Sequence, residues 1–267
     1  MKILLNAEEI IANSNNYMFI DVRKKKHAVF PYENGHIPQA VSLDIEEIVS
    51  AKDSFLPEVD KMAAKLGELG ITANTPVVIY DEGSGRVAAK AWYLLYYAGH
   101  DAAYILQGGY PAWQNNGGEE TTEIPAHPEK KYTPAVRSAA KTTLEMVKIN
   151  TTATLVDARA AEKYRGEKEP TYHKAGHIPG AVNFPVQHAL EAPGVWKTKQ
   201  ELQAFFSDLA EKEELIVSCG SGNSACMNFV ALKEAGFEHL ALFSGGFSEW
   251  IEDDANEVET GEGFERT

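Results

Sequence analysis

Short apolar runs recur along the chain at the spacing of strands. Residues 19–22, 77–80 and 103–106 read as buried strands in the first half, and residues 155–158, 215–218 and 240–243 do so in the second. Between them lie longer stretches with helical periodicity. Residues 87–98 end at Gly99 and residues 225–235 end at Gly236, each glycine standing where a helix C-terminus calls for a left-handed residue. Strand, helix, strand at this spacing predicts α/β architecture, a small parallel sheet with helices on both faces.

The pattern occurs twice. Ile20-Asp21-Val22-Arg23 returns as Val156-Asp157-Ala158-Arg159, and Gly35-His36-Ile37-Pro38 returns as Gly176-His177-Ile178-Pro179. The run 77–81 answers 215–219, and Gly108-Gly109-Tyr110 with Trp113 answers Gly245-Gly246-Phe247 with Trp250. The four offsets are 136, 141, 138 and 137 residues. Near-constant spacing over separate blocks implies a duplicated domain. The expected division is a domain over 1–122, a linker rich in Glu, Thr, Pro and Lys over 123–141, a second domain over 142–254 and an acidic tail over 255–267 that contributes little.

Charge narrows the partners. With 39 Asp+Glu against 25 Lys+Arg in 267 residues, the net charge of -14 is a poor match to phosphate backbones, so nucleic acid is not an expected partner. No apolar run approaches the roughly 20 residues that cross a bilayer, and Glu8 and Glu9 break the apolar start, so the expected location is the cytoplasm, away from membranes. Two cysteines, Cys219 and Cys226, are too few for a disulfide scaffold or a thiolate-built metal site, and neither a metal nor an organic cofactor is expected.

Ligands of open α/β sheets bind at the carboxyl ends of strands, which directs attention to the turn after residues 215–218. It reads Cys219-Gly220-Ser221-Gly222-Asn223-Ser224 and runs directly into a helix. Inward-facing amides and the positive end of a helix dipole favour an anion carried on the sulfur. The matching turn in the first half begins with Asp81, which cannot do thiolate chemistry. Cys226, one turn into the helix, reads as a small buried hydrophobe. Asp21 and Asp157 read as bonding to neighbouring loops, His36 and His177 as turn residues, and Trp113 and Trp250 as core.

Other loop-before-helix chemistries fail on single positions. A cysteine phosphatase needs Arg where Ala225 stands, a nucleotide P-loop needs a Lys that this loop lacks, and a serine-hydrolase elbow on Ser224 needs Gly where Cys226 stands.

Taken in order, the Asp-Val-Arg and Asp-Ala-Arg strand ends, both Gly-His-Ile-Pro blocks, the cysteine loop and both Gly-Gly-aromatic blocks resemble the tandem-domain rhodanese family of thiosulfate and 3-mercaptopyruvate sulfurtransferases. The resemblance spans nearly the whole chain. It implies two rhodanese-like domains, the first non-catalytic with Asp81 at the cysteine position and the second catalytic. It further implies a ping-pong reaction. Cys219 takes a sulfane sulfur from a small anionic donor, 3-mercaptopyruvate or thiosulfate, and a thiol such as thioredoxin, or cyanide, collects it from the persulfide. Gly220, Ser221, Gly222, Asn223 and Ser224 form the persulfide-binding loop, in the manner of an oxyanion hole.

In this resemblance Gly220 and Ser221 match the mercaptopyruvate type of loop. Glu46 and Ser54 align with an Asp and a His that would complete a triad with Ser221, and a Ser cannot do a His's proton transfer. Lys163 and Tyr172 align with the family's two substrate-binding arginines. A persulfide carrier or sensor, receiving sulfur from a protein partner, is the alternative. The segment from Arg159 to Gly176 is five residues longer than its counterpart from Arg23 to Gly35 (17 against 12) and carries Lys163, Arg165, Lys168, His173 and Lys174. In an acidic protein it is the expected entrance for an anionic substrate, with Lys163 and Arg165 as binding residues.

Overall fold

A computed structural model of the chain describes residues 2–24, 31–51, 53, 55–264 and 266. It divides into two compact units. One comprises Lys2–Arg137 with Ala192–Val195, and the other takes Ser138–Glu191 and Trp196–Thr267.

In the first unit five strands, β1 (Leu4–Leu5), β2 (Met18–Asp21), β3 (Val41–Ser42), β4 (Val77–Tyr80) and β5 (Ala103–Leu106), form one sheet in the order β1-β5-β4-β2-β3. Every pairing is parallel. Its helices are α1 (Ala7–Ala12), α2 (Val59–Glu68), α3 (Arg86–Tyr97) and α4 (Gly109–Asn115). Phe19, Val78, Tyr80 and Leu106 cluster with Ile10 of α1 and Trp113 of α4. The alternate strand residues Ile20, Ile79 and Ile105 are fully buried too, so both sheet faces are covered, which is why these strands read as continuous apolar runs and not as alternating ones.

The second unit repeats the plan with β6 (Thr154–Asp157), β7 (Val182–Asn183), β10 (Leu215–Ser218) and β11 (Leu240–Phe243), ordered β11-β10-β6-β7 and again parallel. A two-stranded ribbon of β8 (Leu190–Ala192) and β9 (Val195–Trp196) follows β7. The helices are α5 (Leu144–Lys148), α6 (Ala161–Tyr164), α7 (Lys199–Phe205), α8 (Asn223–Ala235) and α9 (Gly246–Trp250). α7 opens with a capping box, Thr198 and Glu201 each satisfying the other's backbone N–H.

The repeat extends to side-chain bonding. Asp21 grips the Arg23 guanidinium at 2.6 and 2.9 Å, and Arg23 reaches the Gly35 carbonyl at 2.7 Å. Asp157, Arg159 and Gly176 repeat this at 2.6, 2.9 and 2.8 Å. His36 stacks on Tyr32 and bonds the Tyr32 carbonyl through Nδ1, as His177 does with Tyr164. These groups tie the segment after β2 or β6 back to its own strand end.

Two sequence expectations change. The segment expected as a linker is packed as far as residue 137: Lys130 donates to the Gly67 carbonyl, Ala135 to Ala98 and Arg137 to Tyr97, while the buried Tyr132 hydroxyl meets His100. The acidic tail is also packed. His177 and Glu259 exchange backbone bonds, Gly261 donates to Arg165, Asn183 to Phe264, and the Trp250 indole N–H donates to the Glu257 carbonyl. The same arrangement binds Thr121 to His36 and Trp113 to Glu119 in the first unit. The tail closes its domain as residues 119–121 close theirs, which its polar composition conceals because backbone groups do the bonding.

Candidate active site

Cys219 follows β10 directly and is buried, with 3% of its surface exposed. The chain turns at Gly222, whose φ of +94° lies in the left-handed region that favours glycine, and α8 begins at the next residue. The Gly222 N–H donates to Cys219 Sγ at 3.0 Å. Burial pushes the Cys219 thiol above its ordinary range, and the negative charge of Asp157 pushes the same way. The amides of Ala225, Ser221 and Gly222 oppose them. The amides act in the direction expected from the sequence, but burial is the largest effect and the net direction is upward.

The first unit shows how such a loop bonds when a carboxyl side chain occupies it. The Asp81 carboxylate, almost completely buried, accepts from the amides of Gly83 at 2.9 Å, Gly85 at 3.1 Å and Val87 at 3.1 Å, and from the Ser84 hydroxyl at 3.1 Å. Counted along the repeat, Gly83 and Val87 correspond to Ser221 and Ala225, two of the residues whose amides act on Cys219. The two loops turn their amides toward the first residue of the loop, a carboxylate in one and a cysteine in the other.

The cradle is held from below by the second Gly-Gly block. Phe247 donates to the Cys219 carbonyl at 2.8 Å and Ser248 to the Gly220 carbonyl at 3.1 Å. Gly246, at φ +59°, allows this approach, since a Cβ there would collide with the Cys219 carbonyl.

Above the cradle lies the insertion. Two of its cations are engaged with acids: Arg165 binds Glu167 at 2.7 and 2.8 Å, and Lys174 lies 3.4 Å from Asp254, with the His173 ring 4.0 Å from the same carboxylate. Lys163 sits on α6 and Arg165 caps that helix. The residue the insertion brings onto the cysteine loop is Tyr172, whose hydroxyl would stand 2.8 Å from a Cβ at position 220. Its ring meets Phe247 edge-on at 6.0 Å. Glu169 shapes this turn, its Oε1 accepting from the Thr171 amide at 2.9 Å and the Tyr172 amide at 3.3 Å. Its side chain is buried, and Oε2 faces Arg159 Nη1 across 3.9 Å. A Glu in a polar insertion reads as solvated, so nothing in the sequence flags this role.

Of the remaining expected site residues, Ser221 is exposed on the loop, while Asn223, exposed, and Ser224, half-buried, lie in the first turn of α8. Glu46 lies in the first unit, where its carboxylate pairs with Lys90 at 3.5 Å and Lys24 at 3.8 Å. Ser54 falls outside the described residues. Cys226 is fully buried within α8. Among the described residues, no group of three His, Cys, Asp or Glu side chains is placed to hold a metal ion, and no helix is long and apolar enough to cross a membrane.

Residues 6–116 and 139–253 each match the rhodanese-like domain. A Pseudomonas aeruginosa protein named "Probable 3-mercaptopyruvate sulfurtransferase" is 36% identical over 247 residues, covering 86% of both chains. A Thermus thermophilus sulfur carrier protein, TtuD, is 30% identical and covers 82% of this chain and 83% of its own. The crystal structure of the Escherichia coli 3-mercaptopyruvate sulfurtransferase SseA superimposes with a TM-score of 0.78 at 29% identity, over 92% of this chain and 99% of that one. The chain belongs to the rhodanese family, with two rhodanese domains in tandem. It is a sulfurtransferase.

Proposed function

We propose that Cys219 is the nucleophile of this sulfurtransferase and that its loop amides hold the sulfur in transit as a persulfide anion. The observation that carries the reading is the cradle itself: an amide on Sγ at 3.0 Å, in a loop whose twin binds a carboxylate through four amides and a hydroxyl. The Cys219 thiolate attacks the outer sulfur of the donor. With thiosulfate, the bond between the sulfurs breaks and its electron pair leaves on sulfite. With 3-mercaptopyruvate, the carbon–sulfur bond breaks and the carbon takes up a proton to give pyruvate. In the second half-reaction an acceptor thiolate attacks the persulfide's outer sulfur and Cys219 leaves as thiolate. Neither half needs an external oxidant or reductant.

The first unit, with a carboxylate in its cradle, plays no part in the covalent chemistry. Lys163 and Arg165 supply positive charge on the element preceding the insertion and draw the anionic donor, Arg165 sharing its charge with Glu167.

A second reading has support in the Thermus relative: Cys219 as a sulfur carrier loaded by another protein. Intact mass decides between the two. Incubation with 3-mercaptopyruvate or thiosulfate should add one sulfur, absent from Cys219→Ser. No gain from either donor, with a gain from a cysteine-desulfurase persulfide, supports the carrier. No gain from any source overturns both.

A further inference from the structure

The segment that leads out of the first unit is laid on it by backbone bonds and a single buried side chain. Lys130 donates to the Gly67 carbonyl at 3.0 Å, Ala135 to Ala98 at 2.8 Å and Arg137 to Tyr97 at 2.8 Å. Among residues 130–137 Tyr132 alone is buried. A crevice of about 500 Å³, lined by Ala63, Ala64 and Gly67 of α2 and by residues 129–132, opens beside it. A stretch with so little buried side chain opens locally before the sheet beneath it does.

Tyr132 is met by His100, itself 1% exposed. The imidazole Nε2 lies 2.9 Å from the Thr75 carbonyl oxygen and Nδ1 lies 3.3 Å from the Tyr132 hydroxyl, with the two rings parallel within 11°. A carbonyl only accepts, so Nε2 carries the N–H and Nδ1 is left with a lone pair. Burial pushes the Tyr132 hydroxyl up to about 12, so it keeps its hydrogen and donates it to Nδ1. The neutral imidazole therefore suits both neighbours. A second proton spoils the match: Nδ1 becomes a donor facing a hydroxyl that was donating to it, and a cation stands in a buried site. The charged groups facing the ring are Asp101 and Arg137, which pair with each other at 2.6 Å. Burial holds His100 below the ordinary histidine range; the Thr75 carbonyl, Asp101 and the Ala102 backbone oppose it, and Arg137 reinforces it.

We propose that the His100–Tyr132 pair is an acid-released clasp: the neutral imidazole holds residues 130–137 on the first unit, and a second proton lets them go. Arg137 closes that unit's main segment and Ser138 opens the next, so release lengthens the free link between the two by eight residues. By linkage, the open segment leaves His100 in water to titrate near 6.5, while the closed one takes up the proton at lower pH. Closure is complete above that range and weakens below about pH 6.5, by up to tenfold per pH unit.

The test is amide hydrogen exchange on the full chain between pH 7.5 and pH 5, corrected for the pH dependence of free amides, with Val78 and Ile79 of β4 as internal reference. Protection of Ala135 and Arg137 should fall at least about fivefold over that span in wild type, while β4 holds. His100→Gln can still donate to Thr75 and accept from Tyr132 but takes up no proton, so its protection should stay within about twofold. Tyr132→Phe should lower protection at pH 7.5 by about two- to tenfold, as one lost hydrogen bond would. A wild type indifferent to pH overturns the proposal, as does a fall that persists in His100→Gln or a Tyr132→Phe variant as protected as wild type. Should His100→Gln fail to fold, wild type decides alone: the nitrogen NMR signals of the His100 ring and the loss of protection must change over the same pH span, and separate transitions overturn the clasp.

Discussion

At the scale of the residue, Cys219 sits between opposing effects, and their balance sets a pH dependence. Burial and the nearby Asp157 raise the thiol, while the amides of Ala225, Ser221 and Gly222 lower it, with the net direction upward. The attacking species is the thiolate, so below the raised pKa its fraction grows about tenfold per pH unit. Single-turnover loading of Cys219 at fixed donor should climb with that slope from pH 6 to pH 8. A flat profile over this range would mean that the thiolate is already formed. Linkage gives an independent check of the sign. A thiol that holds its proton more tightly when folded contributes stability below the ordinary thiol range and loses it as pH rises through the folded pKa. Wild type should therefore lose stability relative to Cys219→Ala only at alkaline pH.

At the scale of the element, the two strand–loop–helix units are the same device with different contents. In the first, Asp81 neutralises buried amides that nothing else satisfies, so its carboxylate is structural. Asp81→Ala should destabilise the first unit by roughly 2–4 kcal/mol, the cost of stranding several buried donors. The neighbouring Glu82, exposed on the same loop, should cost under about 0.5 kcal/mol when replaced by Ala. Urea denaturation of both variants separates a structural anion from a merely acidic loop; equal midpoints would refute the assignment. These elements were legible because burial on both faces leaves a continuous apolar run: residues 77–80, 103–106, 215–218 and 240–243 are strands at those bounds. The helices expected from residues 87 and 225 begin one and two residues earlier, at Arg86 and Asn223. What escaped was built from backbone bonds or from two-residue strands such as Leu4–Leu5 and Val182–Asn183, too short to show a period. The tail from Glu257 escaped for the same reason. Within the candidate site, the cysteine loop announced itself through its small residues. Glu169 did not, because its role comes from a turn that folds over the loop from residues about fifty positions away; Tyr172 was marked by the family resemblance, but its contact with the cysteine loop was not.

At the scale of the molecule, the net charge of -14 acts on every anion that approaches. The basic segment between Arg159 and Gly176 reads from sequence as a local reversal of that field, yet Arg165, His173 and Lys174 each have an acidic neighbour, so the reversal is weaker than the count of cations suggests. Which field governs encounter is measurable through screening. At about 10 mM ionic strength the Debye length is roughly 30 Å and the whole protein's charge is felt; at about 150 mM it is roughly 8 Å and only the nearest groups remain. If global repulsion dominates, added sodium chloride should lower KM for both donors, and the slope of log KM should be about twice as steep for thiosulfate, which carries two charges, as for 3-mercaptopyruvate, which carries one. If Lys163 and its neighbours dominate, salt should instead raise KM, and Lys163→Ala should abolish that rise. Arg165 and Lys174 already share their charge with Glu167 and Asp254, so the second outcome rests on Lys163, and Lys163→Ala is the variant that separates the two fields.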